Sequence, residues 1–304
     1  MKAVFLDASP TLAEVTERLL QSGDMSVSIH RDPDITPEQI PAVVGDADIV
    51  WIDHTGLSTD IASQCPNLRH VIFLGTGARS YMSPEELAEI GIQVHIIKGY
   101  GDTAVAECAF GLMWAAAKGY AAMDRGVRAG NWPRTEGLQL TGKTLGLVGF
   151  GGIGAEMARL GLGAGMRVIA WNRSPKEHPG VPFLSIEAVL AQSDVVSVHL
   201  LLNDETRGFL SKSRIEGMRD GAILVNTARG AVIDELAMIE ALQSGKLGHA
   251  ALDVFEVEPL PPGHALSTLD NVTLSAHSAF RTAEASDNLI EAALNHGRRI
   301  AQER

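Results

Sequence analysis

The order of apolar runs in this chain predicts an α/β protein of two doubly wound domains, one inserted in the other. Three observations carry that expectation. The 304 residues exceed what one hydrophobic core comfortably organises. Short β-branched runs alternate with helical stretches, as in parallel sheets flanked by helices. A second series of such runs then begins in mid-chain and reads as a complete doubly wound unit.

The first series holds Ala3 to Asp7, Ile49 to Asp53, Val71 to Leu74 and Ile92 to Ile97. One long helical pattern from about Thr103 to Arg128 follows, then the turn-rich Gly130-Asn131-Trp132-Pro133 and Gly137. The second series comprises Thr144 to Val148, Arg167 to Trp171, Val195 to Leu200, Ala222 to Asn226, His249 to Val254 and Val272 to Ser275. After it comes an amphipathic helix, roughly Thr282 to Ile300, with no strand beyond it. That helix is expected to return to the first domain. The expected division is therefore residues 1–98 plus 278–304 around a continuous 99–277, with hinges near Gly99 and Ala276.

Composition narrows the partners. A formal net charge of -12 disfavours nucleic acid and anionic membrane surfaces. The most apolar segment, Ala104 to Met123, is interrupted by Glu107 and Lys118 and falls short of spanning about 30 Å of hydrocarbon, so it reads as a buried or interface helix. Cys65 and Cys108 lie far apart without CxxC spacing, which suits reduced thiols in a cytoplasmic protein and suggests no metal site. The start, MKAVFLDASP, reaches Asp7 too soon for an export signal.

The run Thr144 to Val148 leads into Gly149-Phe150-Gly151-Gly152-Ile153-Gly154 and then into a helical stretch. Glycine allows the tight turn and the close approach of a diphosphate, whose charge meets free N–H groups at the helix start. GxGxxG alone is weak, since such turns also serve plain strand-to-helix packing. Its flanks here favour dinucleotide binding. At the end of the next strand an NAD-preferring site places a carboxylate, but this chain has Asn172-Arg173-Ser174. An arginine and a hydroxyl suit a 2′-phosphate, so NADP(H) is expected, with NAD(H) as the lesser cofactor.

Three segments just past later strands supply reacting groups: Asn226-Thr227-Ala228-Arg229-Gly230, Asp253 to Pro259, and Ser275-Ala276-His277-Ser278. Arg229 suits a substrate carboxylate held by a planar, bidentate guanidinium. His277 suits proton donation to a developing alkoxide, with Glu258 as the carboxylate that favours its charged form. Singly each has a plain reading: a strand-end histidine, a solvated acid, a helix-capping arginine. All three after strands of one nucleotide domain favour chemistry on a small 2-oxo or 2-hydroxy acid.

These residues, with Val105-Ala106-Glu107, Val198-His199-Leu200-Leu201-Leu202, Val225 to Gly230, Leu252 to Pro259 and Ala276-His277, resemble the D-isomer-specific 2-hydroxyacid dehydrogenases over nearly the whole chain. Within that family the chain resembles NADP-preferring members of the glyoxylate and hydroxypyruvate reductase kind. The resemblance implies a Rossmann nucleotide-binding domain inserted in a flavodoxin-like substrate domain. It implies Arg229 binding substrate, Glu258 orienting the histidine and His277 as acid/base. It also implies cofactor contacts from Gly152, Ile153, Leu202, Thr227 and Ala228, with Asp253 on the nicotinamide carboxamide. Gly75-Thr76-Gly77 resembles the family's backbone cradle for the substrate carboxylate, and homodimers joined through the nucleotide domain are implied.

The departures bear on substrate. Ala78-Arg79-Ser80-Tyr81 replaces an Asp-containing turn, and Arg79 reads as a surface charge. His54-Thr55-Gly56-Leu57 stands where phosphoglycerate-specific relatives carry arginines, and Glu258 disfavours formate. Glyoxylate and hydroxypyruvate are the first substrates to consider. The alternative from another class is an NAD(P)-sensing regulatory protein on the same fold.

Overall fold

Each strand of the chain pairs in parallel with its neighbours, because a helix follows it and carries the chain back to the same edge of the sheet. The computed structural model describes residues 1–303. The chain divides into two units, Met1–Gly101 with Arg281–Arg304, and Asp102–Phe280.

The first unit runs β1 (Lys2–Phe5), α1 (Pro10–Leu19), β2 (Ser26–Ile29), α2 (Ile40–Val44), β3 (Ile49–Ile52), α3 (Thr59–Ala62), β4 (His70–Phe73), α4 (Pro84–Glu89) and β5 (Gln93–Ile96). Its sheet has the order β2-β1-β3-β4-β5, the flavodoxin-like arrangement. Ala3 and Phe5 pack to one face and Val4 and Leu6 to the other, so the sheet is buried on both sides.

The second unit opens with α5 (Asp102–Lys118) and α6 (Tyr120–Arg128), then β6 (Thr144–Val148), α7 (Gly152–Gly163), β7 (Arg167–Trp171), α8 (Ile186–Gln192) and β8 (Val195–Val198). It continues with α9 (Lys212–Glu216), β9 (Ala222–Asn226), α10 (Glu235–Ser244), β10 (Leu247–Leu252), α11 (Ala265–Thr268) and β11 (Val272–Leu274). The order β11-β10-β9-β8-β6-β7 is doubly wound about β6. A parallel bridge from Ala170 to Phe183 adds one residue pair beyond β7, where a Rossmann sheet has its third strand. α12 (Ala283–Gln302), capped by Thr282, packs on α1 in the first unit. Among the described residues no helix is long and apolar enough to cross a membrane.

Two expectations fail locally. The single helix over about 103–128 is two, because Gly119 adopts a left-handed φ of 66° between α5 and α6. β2 has no counterpart among the expected runs. Its Ser26-Val27-Ser28-Ile29 is an edge strand exposed on alternate residues, so it lacks the continuous apolar signal of its neighbours.

Candidate active site

Since all six strands of the second sheet run the same way, the segments that follow them emerge at one edge. That carboxyl edge carries Gly149–Gly154 after β6, Asn172–Ser174 after β7, Leu202 after β8, Thr227–Gly230 after β9, Asp253–Glu258 after β10 and His277 after β11. Ligands of doubly wound sheets collect there.

The glycine turn is built for close approach. Gly149 has a φ of 97°, and a Cβ on it would lie 2.4 Å from the His199 carbonyl oxygen. A Cβ on Gly154 would lie 2.6 Å from the Gly149 oxygen, so turn and helix can close only on glycine. Gly151, by contrast, faces open space and caps α7 without a side chain. Ile153 packs into the core behind the turn. A bare, open helix N-terminus fits a diphosphate. Nearby, Leu202 and Ala228 are half-buried against the core, and the buried Thr227 hydroxyl has no partner among the described residues, as a ligand-facing group would.

At the end of β7 the three expected residues divide. Asn172 is committed to the turn, its Oδ1 accepting from the Phe150 N–H at 3.0 Å and its Nδ2 donating to the Ser174 carbonyl at 2.8 Å. Both bonds go to the turn, so Asn172 shapes the site while one Nδ2 hydrogen stays available to donate. Arg173 is exposed and paired with Glu205 at 2.7 Å, while Ser174 is exposed beside it. Glu205 escaped sequence reasoning because it lies 32 positions away. Lys176 was missed too: its Nζ donates to the Phe150 carbonyl at 2.7 Å and adds a cation to the same strand end.

His277 and Glu258 meet directly, with Nδ1 and Oε2 2.6 Å apart. A carboxylate only accepts, so Nδ1 carries the hydrogen and Nε2 faces away from the pair. The other Glu258 oxygen accepts from the Phe255 N–H at 2.9 Å, which holds the acid in place. Arg229 reaches this neighbourhood through its backbone: a Cβ on Gly230 would lie 1.9 Å from the Phe255 carbonyl carbon. The two loops therefore touch main chain to main chain. The Arg229 guanidinium itself donates to the Ala228 carbonyl at 2.6 Å.

Asp253 has a structural role that the sequence did not reveal. Its side chain is wholly buried, at 0% exposure, and is used by the turn that carries His277. Oδ1 accepts from the Ser278 N–H at 3.0 Å and from the Ser275 hydroxyl, and Oδ2 accepts from the Ala279 N–H at 2.9 Å. Its carbonyl accepts from the His277 N–H at 2.7 Å. These bonds hold His277 at a φ of 47°, a left-handed conformation that costs a non-glycine residue about 1–3 kcal/mol. Asp253 thus builds the turn that carries His277.

In the first unit, Gly75, Thr76 and Gly77 follow β4 and end in a 3-10 turn over Ala78–Ser80. The Gly75 carbonyl accepts from the Ile97 N–H at 3.0 Å. Arg79 is exposed and paired with Glu85, as a surface charge would be. His54 bridges Asp53, at 3.3 Å, and the Pro33 carbonyl, at 2.9 Å. Its Asp53 partner, opposed by partial burial and helped by Asp7, raises its pKa to about 9.

Residues 110–279 match the family model for the D-isomer specific 2-hydroxyacid dehydrogenase, NAD binding domain. The chain is 40% identical over 241 residues to a glyoxylate reductase of Aeropyrum pernix, covering 75% of this chain and 72% of that one. It is 35% identical over 282 residues to a hydroxypyruvate reductase of Thermotoga maritima, covering 91% of each. Among solved structures, a glyoxylate reductase from Paecilomyes thermophila superposes with a TM-score of 0.86 at 29% identity, covering 98% of this chain and 94% of that one.

Proposed function

Because the chain belongs to the D-isomer specific 2-hydroxyacid dehydrogenase family and is an NAD(P)-dependent 2-hydroxyacid oxidoreductase, we propose that it reduces a short 2-oxo acid of the glyoxylate or hydroxypyruvate kind, with NADPH preferred. The observation that carries the mechanism is the 2.6 Å contact between His277 and Glu258 on the edge that holds the glycine turn. The relatives named as reductases give no support to the nucleotide-sensing alternative.

A bound nicotinamide dinucleotide supplies the hydride. Gly151, Gly152 and the first turn of α7 hold its diphosphate, and Arg173 and Ser174 take the 2′-phosphate. Arg229 binds the substrate carboxylate through its planar guanidinium. Glu258 keeps the hydrogen on His277 Nδ1 and fixes the ring. In the imidazolium form Nε2 carries a second hydrogen, and it delivers that proton to the carbonyl oxygen as the carbonyl carbon accepts hydride, leaving a neutral ring with its hydrogen on Nδ1. In oxidation the same nitrogen takes that proton back.

The test is NADPH and NADH oxidation against a panel of 2-oxo acids, with His277→Ala as control. Glyoxylate or hydroxypyruvate turnover that falls about 100-fold or more in the variant, with dinucleotide affinity kept, is the expected result. A variant of near-normal turnover removes His277 from the chemistry. We also assign a homodimer face to the second unit, around exposed Tyr120, Val127 and Trp132. Sedimentation velocity is expected to give a two-chain mass that Trp132→Glu halves; a wild-type monomer ends that reading.

A further inference from the structure

The carboxylate of Asp102 lies against the glycine turn. Asp102 is the first residue of α5, and a Cβ built on Gly152 would sit 1.7 Å from its Oδ2 and 2.6 Å from its Cγ. Any larger residue at 152 would displace it. Asp102 accepts no hydrogen bond from a described residue and has no cationic partner. What faces it is another acid, Glu156 of α7, whose own ion pair is with Arg159 at 2.9 Å. No other acidic residue occupies the first turn of α5.

A half-buried carboxylate without a donor calls for an explanation, since desolvation is uncompensated. Here it stands beside bare N–H groups that suit an anion. A diphosphate arriving at the same turn would come close to a like charge with little water between them.

We propose that Asp102 sets cofactor affinity: while ionised it opposes the diphosphate at the α7 N-terminus, and the dinucleotide binds together with a proton taken up by this carboxyl. The inference rests on the dinucleotide reading given above. Burial already lifts the Asp102 carboxyl above the ordinary aspartate value, and the Glu156 charge lifts it further. An incoming diphosphate acts in the same direction, so affinity rises as pH falls.

The experiment is titration calorimetry of the full chain with NADH, whose diphosphate does not titrate near neutrality, from pH 5.5 to 8.5 in two buffers of different ionisation enthalpy. Wild type is expected to bind more tightly at lower pH with net proton uptake. Asp102→Asn is expected to bind about 10-fold more tightly at pH 7.5, with that uptake gone. Glu156→Gln, which leaves the packing at Gly152 untouched, should shift affinity the same way by a smaller factor. Asp102→Asn binding equal to or weaker than wild type, with wild-type proton uptake, overturns the proposal and makes the carboxylate a neutral bystander or an acceptor for a ribose hydroxyl. If none of the three proteins binds a dinucleotide, the dinucleotide reading fails first and this inference falls with it.

Discussion

Arg173 and Glu205 form an ion pair whose side chains are 74% and 72% exposed, and such a pair contributes at most about 1 kcal/mol in water. A 2′-phosphate brings more charge than Glu205 and more acceptor oxygens, so exchanging partners costs Arg173 little. A charge-assisted bond is worth about 1.5–3 kcal/mol, roughly 10-fold to 150-fold in kcat/KM for NADPH over NADH. Arg173→Ala is expected to erase most of that preference by raising KM for NADPH, since the contact is the same in ground and transition states. Equal efficiency with both cofactors in the wild type would sink the assignment. Arg173 was legible because it replaces an acid at a known distance past GxGxxG. Glu205 was not, because nothing in its own surroundings points to β7. Asp102 escaped for the same reason: contact with Gly152 arises only when α5 packs on α7.

The turn after β11 shows how an element can be readable while its wiring is not. Its strand and its histidine stood out as an apolar run ending in Ser275-Ala276-His277, whereas the acid that organises the turn sits on β10's end and looked like a cofactor ligand. Asp253→Asn separates the two roles. An amide at that position sets an N–H group against a backbone N–H, and leaving a buried donor unpaired costs about 1–3 kcal/mol. The expected outcome is a lower melting temperature and a kcat reduced about 10-fold or more, with cofactor Kd nearly unchanged. If Kd rises with kcat and stability intact, the carboxamide contact is the role of this acid instead. Elsewhere elements followed from burial. Strands β6, β8 and β9, buried at every residue, announced themselves as apolar runs. β2, wet on one face at an edge, did not.

Histidines distributed over both units set the pH range in which the whole molecule is stable. Burial lowers the pKa of His95, His199 and His249 to about 4, with Coulombic repulsion from His70 added at His95 and from Arg125 at His249. In the unfolded chain each takes up a proton near its ordinary value of about 6.5. Their folded-state values lie below that, so stability is complete above about pH 6.5 and is lost as pH falls toward 4. His54 works in the opposite sense. Its pKa of about 9 means that the Asp53 pairing contributes fully below about pH 6.5 and fades as pH rises through 9. His249 is the cleanest test, being 8% exposed and held by the Thr273 hydroxyl at 2.9 Å. One proton per molecule corresponds to a slope of about 1.4 kcal/mol per pH unit, and its full displacement to something on the order of 3 kcal/mol. Urea unfolding of wild type and His249→Gln between pH 4 and 8 should show the variant losing less stability on acidification, by up to one proton's slope between pH 6.5 and 4. Parallel pH profiles for the two proteins would mean that His249 is protonated alike in the folded and unfolded chains, and that the acid limit lies with other groups.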